Sequence, residues 1–221
     1  MAKGTDFGGV HSHQDLNLIQ QKVIIQPAEP KLNLIDVPGA DGSVDMSELP
    51  AGRVVYKDRI LTWTYALYPG DEWHAKHRQV SNALNGKRCR IILDDDPGRY
   101  YMGRLSVKEY NTDRVLRQIT VEATCSPWIF KKNPTVITEN LIHDSTGFMS
   151  INLSNEKKPA IPTIEVTRNT TIVWKGSTKK LAAGASFTSL DIELQEGDNL
   201  LKAASATSDG AITITYQEAS L

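Results

Sequence analysis

Between residues 60 and 67 the chain alternates: Ile60, Thr62 and Thr64 fall on one side, and Leu61, Trp63, Tyr65 and Leu67 on the other. A period of two with the larger side chains on one side predicts a strand with one buried face, and Trp63 as core. Pro69-Gly70 ends the run. The period then lengthens to about 3.6, which places Trp73, Val80 and Leu84 on one face of a short helix. Asp71 is its expected cap and Asn85-Gly86 its stop. A helix of about three turns does not persist alone in water, so its Trp73 face must dock on a sheet.

Alternation resumes in Lys87-Arg88-Cys89-Arg90-Ile91-Ile92-Leu93 and returns through Tyr100-Tyr101-Met102-Gly103-Arg104-Leu105-Ser106-Val107, with Asp94-Asp95-Asp96-Pro97-Gly98-Arg99 between them. This is a hairpin. A further turn at Asn111-Thr112-Asp113 leads into Val115, Arg117, Ile119, Val121, Ala123 and Cys125 on one face and Gln118, Thr120, Glu122 and Thr124 on the other, completing a three-stranded meander. Upstream, Asp41-Gly42 is turn chemistry, because Gly42 takes a positive φ without a Cβ clash and Asp41 can bond the backbone that follows. After Lys131-Lys132-Asn133-Pro134 the composition changes from Trp/Tyr-rich to Thr/Ser/Ala-rich, which places a domain boundary between 132 and 133. Short β-prone runs follow at 135–138, 149–153, 163–167, 171–174, 186–190, 199–203 and 211–216. Breaker segments separate them at 155–162, 175–176, 183–184, 196–198 and 209–210, the spacing of a small antiparallel sandwich. The predicted fold is mainly β, with one short helix in residues 1–132 and a β-sandwich in residues 133–221.

One order of motifs is distinctive. It runs Val37-Pro38-Gly39-Ala40-Asp41-Gly42-Ser43-Val44-Asp45, then Arg59-Ile60-Leu61-Thr62-Trp63, then a helix ending in Leu84-Asn85-Gly86-Lys87. Leu93-Asp94-Asp95-Asp96, Tyr100-Tyr101-Met102-Gly103-Arg104 and Cys125-Ser126-Pro127-Trp128 complete it. This block resembles the distal tail protein of long-tailed (siphovirus) bacteriophages, a phage tail component family. The opening from Phe7 to Leu18 is similar to that family's first strand. Leu194-Gln195-Glu196-Gly197-Asp198-Asn199-Leu200-Leu201 and Ile212-Thr213-Ile214-Thr215-Tyr216 resemble the last two strands of its galectin-like C-terminal domain. Where many members have a Gly-containing turn before an Ala-x-Pro strand entry, this chain has Asn155-Glu156-Lys157-Lys158-Pro159-Ala160-Ile161-Pro162, without Gly, which leaves the shape of that loop open.

Composition narrows the function classes. With 25 Lys+Arg against 26 Asp+Glu the formal charge is -1, so the basic footprint that phosphate-backbone binding needs is missing and sequence-specific nucleic-acid binding is not expected. The start of the chain lacks the apolar run of a signal peptide and no stretch of about 18 apolar residues occurs, so the sequence predicts an unexported chain with no membrane partner. Cys89 and Cys125 both lie in strand patterns, where a reduced cysteine behaves as a small hydrophobe; a disulfide between them is open but not favoured.

Candidate chemistry is sparse. His11-x-His13 could put two imidazoles on one side of a strand, a metal-site spacing, but only Asp15 lies near to complete a ligand set. His74 and His77 are one helical turn apart without a His-Glu-x-x-His arrangement. Asp94, Asp95 and Asp96 could hold a hard cation or divide acid and base roles, yet adjacent strand residues face opposite ways and Pro97-Gly98 makes this a hairpin tip, so they read as a solvated turn. No nucleophile elbow, Walker loop, dinucleotide fingerprint or Cys-x-x-Cys pair occurs. Tyr65, Tyr68, Tyr100, Tyr101, Trp128 and Phe130 could line a sugar platform, but in half-buried strands they read as core or subunit contacts. The expectation is a non-enzyme with no catalytic, cofactor or metal residues.

The resemblance implies an N-terminal split-barrel-like or sandwich domain that forms a ring and a galectin-like C-terminal sandwich that projects outward. It implies a homo-hexamer at the distal end of a virion tail, joining the tail tube to tail-tip or baseplate hub proteins and receptor-binding protein, with a channel for DNA. Such a ring needs a head-to-tail interface whose rotation closes, and unpaired sheet edges are natural material for it. Two rivals remain: a carbohydrate-binding adhesin module built on the C-terminal sandwich, and a metal-dependent hydrolase using residues 94–96 with a histidine.

Overall fold

The computed structural model describes residues 3–108 and 117–221. The chain forms two compact units, Met1–Ile129 with Leu221, and Phe130–Ser220. In the first unit the strands are β1 (Thr5–Phe7), β2 (Leu18–Ile25), β3 (Leu34–Asp36), β4 (Ser43–Asp45), β5 (Arg59–Leu67), β6 (Arg88–Leu93), β7 (Arg99–Val107) and β8 (Gln118–Lys131), with helix α1 (Trp73–Leu84) between β5 and β6. The main sheet has the order β1-β6-β7-β8-β5-β2, and β3 pairs β4 as a separate two-stranded hairpin. The alternation in β5 holds residue by residue: Leu61, Trp63, Tyr65 and Leu67 are buried and their neighbours are not. The β6-β7 hairpin and the β6-β7-β8 meander also form as the pattern predicts. The predicted turn at Asn111-Thr112-Asp113, and Val115, lie outside the described residues.

Three local expectations are corrected. The opening is not one strand across residues 7–18: β1 ends at Phe7, His11 makes an isolated bridge with Asp6, and a turn carries the chain through Asn17 (φ 50°) into β2. The helix starts one residue later than Asp71 requires of a cap, so Glu72 takes that role and its carboxylate accepts the Ala75 amide at 3.1 Å. Asp71 instead lies 3.9 Å from the Lys76 ammonium. The helix stop is as expected, with the Asn85 amide donating to the Ser81 carbonyl and Gly86 at φ 77°. The buried helix face is narrower than the pattern indicates. Val80 and Leu84 are fully buried, while Trp73 is half-buried against the same core, stacked on His77 at 5.0 Å and meeting His74 edge-on at 5.5 Å.

The second unit holds β9 (Thr135–Asn140), β10 (Met149–Asn155), β11 (Thr163–Val166), β12 (Thr170–Trp174), β13 (Ser177–Leu181), β14 (Ser186–Thr188), β15 (Gly197–Ser205) and β16 (Ala211–Tyr216). They form two antiparallel four-stranded sheets, β10-β15-β12-β13 and β14-β11-β16-β9. Ile151, Leu153, Ile164, Ile172, Trp174, Leu201, Ile212 and Ile214 from both sheets make one core, so the unit is the predicted sandwich. The Gly-free loop after β10 is shaped by a side chain: buried Asn155 donates to the Lys158 carbonyl at 2.9 Å, and Ala160 bridges to Leu194. Asn199 closes the turn before it by donating to the Gln195 and Gly197 carbonyls and accepting the Gln195 amide.

Candidate assembly interface

The β3-β4 hairpin is an arm with no core of its own. Ile35 pairs Val44 and Leu34 pairs Asp45 across it, and every residue of both strands is exposed. Leu32 at 62 % and Leu49 at 69 % exposure extend the apolar surface, together with Val37 at the turn. Two-stranded hairpins are marginal in water without a covered apolar face. The stem is nonetheless built: Lys31 donates its amide to the Val55 carbonyl at 2.8 Å, Lys57 its amide to Glu29, and Met46 its amide to Asn33 at 2.9 Å. Ser47 is buried and its hydroxyl and amide both donate to the Asp45 carboxylate, which holds Asp45 below the usual carboxylate range. Beside the stem lies a depression of about 510 Å³ lined by Asp45, Met46, Glu48, Leu49 and Gly52. At the outer edge of the main sheet, Ile24 and Ile25 on β2 are also exposed. A fixed base carrying unsatisfied apolar surface fits protein contact, not small-molecule chemistry.

The other candidate residues are drawn into structural roles. His11 and His13 do not share a strand face. The Nδ1 of His11 accepts the His13 and Gln14 amides, and its Nε2 lies 3.2 Å from the Asp94 carboxylate. The other oxygen of Asp94 accepts the Gly4 amide at 2.7 Å. Partial burial raises the Asp94 pKa, but the bonds from His11 and Gly4 outweigh it and leave that pKa below the ordinary value. Residues 94–96 are thus not one uniform solvated turn: Asp94 clasps the start of the chain, Asp95 pairs with Lys3, and the Asp96 carbonyl accepts the Arg99 amide. Among the described residues no group of three or more His, Cys, Asp or Glu is placed to hold a metal ion. Nor is any helix among them long and apolar enough to cross a membrane. Tyr65, Tyr100 and Tyr101 are buried, so they offer no sugar platform, and Tyr68, Trp128 and Phe130 are half-buried.

Both cysteines are free. Cys89 on β6 pairs Gly103 on β7, and β8, which carries Cys125, lies beyond β7. Two strand spacings separate the cysteine backbones, on the order of 10 Å, beyond the reach of a disulfide. Gly103 makes room between them, since a Cβ there would stand 2.3 Å from the Cys125 sulfur. Burial pushes the Cys125 thiol up to about 12.

Arg59, which the motif order includes without a role, is a buried structural cation. It is 4 % exposed, its guanidinium donates to the Pro127 carbonyl and lies 5.8 Å from the centre of the Tyr101 ring, and burial lowers its pKa. Arg59 shares the inward parity of Leu61 and Trp63, which is the signal that could have found it.

The architecture defines a mainly β chain in which a curled sheet, a short helix and an apolar arm precede a two-sheet sandwich. That is the fold of the SPP1 Dit (gp 19.1) protein, described as a paradigm of the hub adsorption apparatus in phages infecting Gram-positive hosts. The two match with a TM-score of 0.68 over 100 % of each chain at 14 % identity. A de novo designed double-stranded β-helix (TM-score 0.28, 10 % identity, 39 % of this chain and all of that one) also matches. So does an exo-β-1,3-galactanase from Phanerochaete chrysosporium (0.21, 10 %, 93 % and 70 %); neither carries an argument at those scores. No protein-family model and no curated protein sequence matches the chain.

Proposed function

We propose that this chain is a structural, non-enzymatic component of a phage tail. Residues 1–132 assemble into a ring, in our reading a hexamer, at the distal end of the tail, linking tail tube to tail-tip or baseplate proteins around a channel for DNA. Residues 133–221 serve as the sandwich that meets outer tail proteins. The observation that carries the reading is the β3-β4 arm, whose anchored stem and uncovered Leu34, Ile35, Val37 and Val44 call for a protein neighbour. The full-length match in fold to a phage hub protein supports it. Because these four side chains are already about half covered, burying the rest contributes roughly 3–6 kcal/mol gross, half of the ~1.5–3 kcal/mol each that full burial is worth. That is comparable with the lower part of the association cost of about 4–15 kcal/mol, so assembly would depend on concentration and partners. Light scattering and negative-stain microscopy of the full chain, alone and with its tail-tube protein, test this. Closed six-membered rings are expected in at least one condition; monomer in both would remove the ring.

A further inference from the structure

We propose that Asn85-Gly86 is a latent modification site: strand β7 holds it as asparagine, and opening of the ladder at this point lets it convert spontaneously to isoaspartate at the foot of helix α1. Of the chain's asparagines, Asn85 alone precedes a glycine. No side chain at residue 86 then shields the backbone nitrogen that lies next to the Asn85 side-chain amide, and the glycine backbone turns freely. Both residues are exposed, so water has access.

The fold itself calls for this dipeptide. Gly86 sits at φ 77° and its amide donates to the Leu105 carbonyl at 2.9 Å, while the Leu105 amide donates to the Lys87 carbonyl at 2.8 Å. Residues 86 and 87 therefore oppose a single residue of β7, a bulge whose first position suits glycine. One position further the main chain has turned into α1, and the Asn85 side chain takes over the ladder: its Oδ1 accepts the Val107 amide at 3.1 Å. Residues 105 and 107 point their backbone groups the same way, so this side chain stands where a strand carbonyl would. The Asn85 backbone amide donates to the Ser81 carbonyl, and the Arg104 guanidinium donates to the Gly86 carbonyl at 2.7 Å.

The reaction runs between the two groups that β7 holds. The Gly86 nitrogen loses its proton and attacks Cγ of Asn85; the Cγ–Nδ2 bond breaks, and Nδ2 leaves as ammonia with that proton, relayed by water. Water then adds to the main-chain carbonyl carbon of the five-membered imide and breaks its bond to the Gly86 nitrogen, so the main chain now runs through Cγ. In the folded chain the Gly86 proton is engaged by Leu105 and Cγ is tethered through Oδ1 to Val107, so ring closure has to break the ladder first. The product carries an extra main-chain methylene and a carboxylate at the C-terminal end of α1, where the helix dipole disfavours negative charge. Val80 and Leu84, the buried anchors of α1, lie just before it, so conversion loosens the helix for good.

The test is to hold the full chain at mildly alkaline pH with and without urea. Conversion at residue 85 is followed by mass-spectrometric peptide mapping and isoaspartyl methyltransferase labelling. The parent should convert about tenfold or more faster in urea than in buffer, because only the opened segment reacts. Val107→Pro removes the amide that holds Oδ1 and keeps an apolar residue at the strand end, and Arg104→Gln removes the guanidinium from the Gly86 carbonyl. Melting curves check both folds, and should Val107→Pro melt early, Arg104→Gln decides. A folded variant that converts faster than the parent in buffer is the expected result. Equal parent rates with and without urea, or no conversion in urea, would overturn the site; folded variants as slow as the parent would show that β7 is not the lock and overturn it equally.

Discussion

Arg59 and Asp94 are two charged side chains whose work is to hold backbone. Replacing Arg59 by Ala would leave the Pro127 carbonyl without its donor and a void beside Tyr101, which should cost about 1–3 kcal/mol in denaturant melts. Arg59→Lys should rescue only in part, because an ammonium lacks the planar fork. Asp94 makes a prediction about pH. Its folded pKa lies below the unfolded value of about 3.9, so its stabilisation is complete above that value and is lost as pH falls through the lowered one. Asp94→Asn should therefore flatten the acid limb of a stability–pH profile below about pH 4. With its side chain 39 % exposed, the loss at neutral pH should stay under about 1 kcal/mol. Asp95→Asn and Asp96→Asn should change stability by less than about half a kcal/mol.

At the scale of elements, the helix and the meander decide where sequence reasoning succeeds. Strands β5, β7 and β8 were legible because one face is core and the other is not, so the apolar period is clean. Strand β13 was not legible, since Ser177-Thr178-Lys179-Lys180-Leu181 presents polar residues almost throughout and is placed by its ladder to β12. The arm's turn could be read from Asp41-Gly42, but its exposure could not, because apolar residues waiting for a partner look like core residues in a sequence. Helix periodicity likewise gave Trp73 the right face but not its depth. Leu84→Ala should cost about 2–5 kcal/mol, whereas Trp73→Ala should cost roughly half of the 3–5 kcal/mol typical of a buried aromatic. Exposed Gln79→Ala is the neutral control, because His74 meets the Trp73 ring edge-on. Chemical denaturation of the three variants ranks them; a Trp73 variant as damaged as the Leu84 variant would mean that the ring is the main anchor. Gly103→Ala should be worse than its small volume suggests, because the new methyl meets the Cys125 sulfur and the Thr124 carbonyl inside a sheet.

At the scale of the whole molecule, stability and assembly should be separable, because the arm's apolar side chains contribute little to either core. Ile35→Ser with Val44→Ser removes the apolar pair on one face of the hairpin while Ser43 keeps its bond to Asp36 and the stem keeps its backbone bonds. The melting midpoint of the isolated subunit should stay within the small range of surface substitutions. Assembly should fall by an order of magnitude or more in apparent association constant, since the two half-exposed side chains together contribute ~1.5–3 kcal/mol and about 1.4 kcal/mol is a factor of ten. Because the contact is apolar, subunit association should be little weakened by added salt and should weaken on cooling, the opposite of a contact held by ion pairs. Sedimentation of parent and variant across temperature and ionic strength measures all three effects. An arm variant that assembles like the parent would assign the contact to the β2 edge with its exposed Ile24 and Ile25, and loss of assembly with salt alone would make the interface electrostatic.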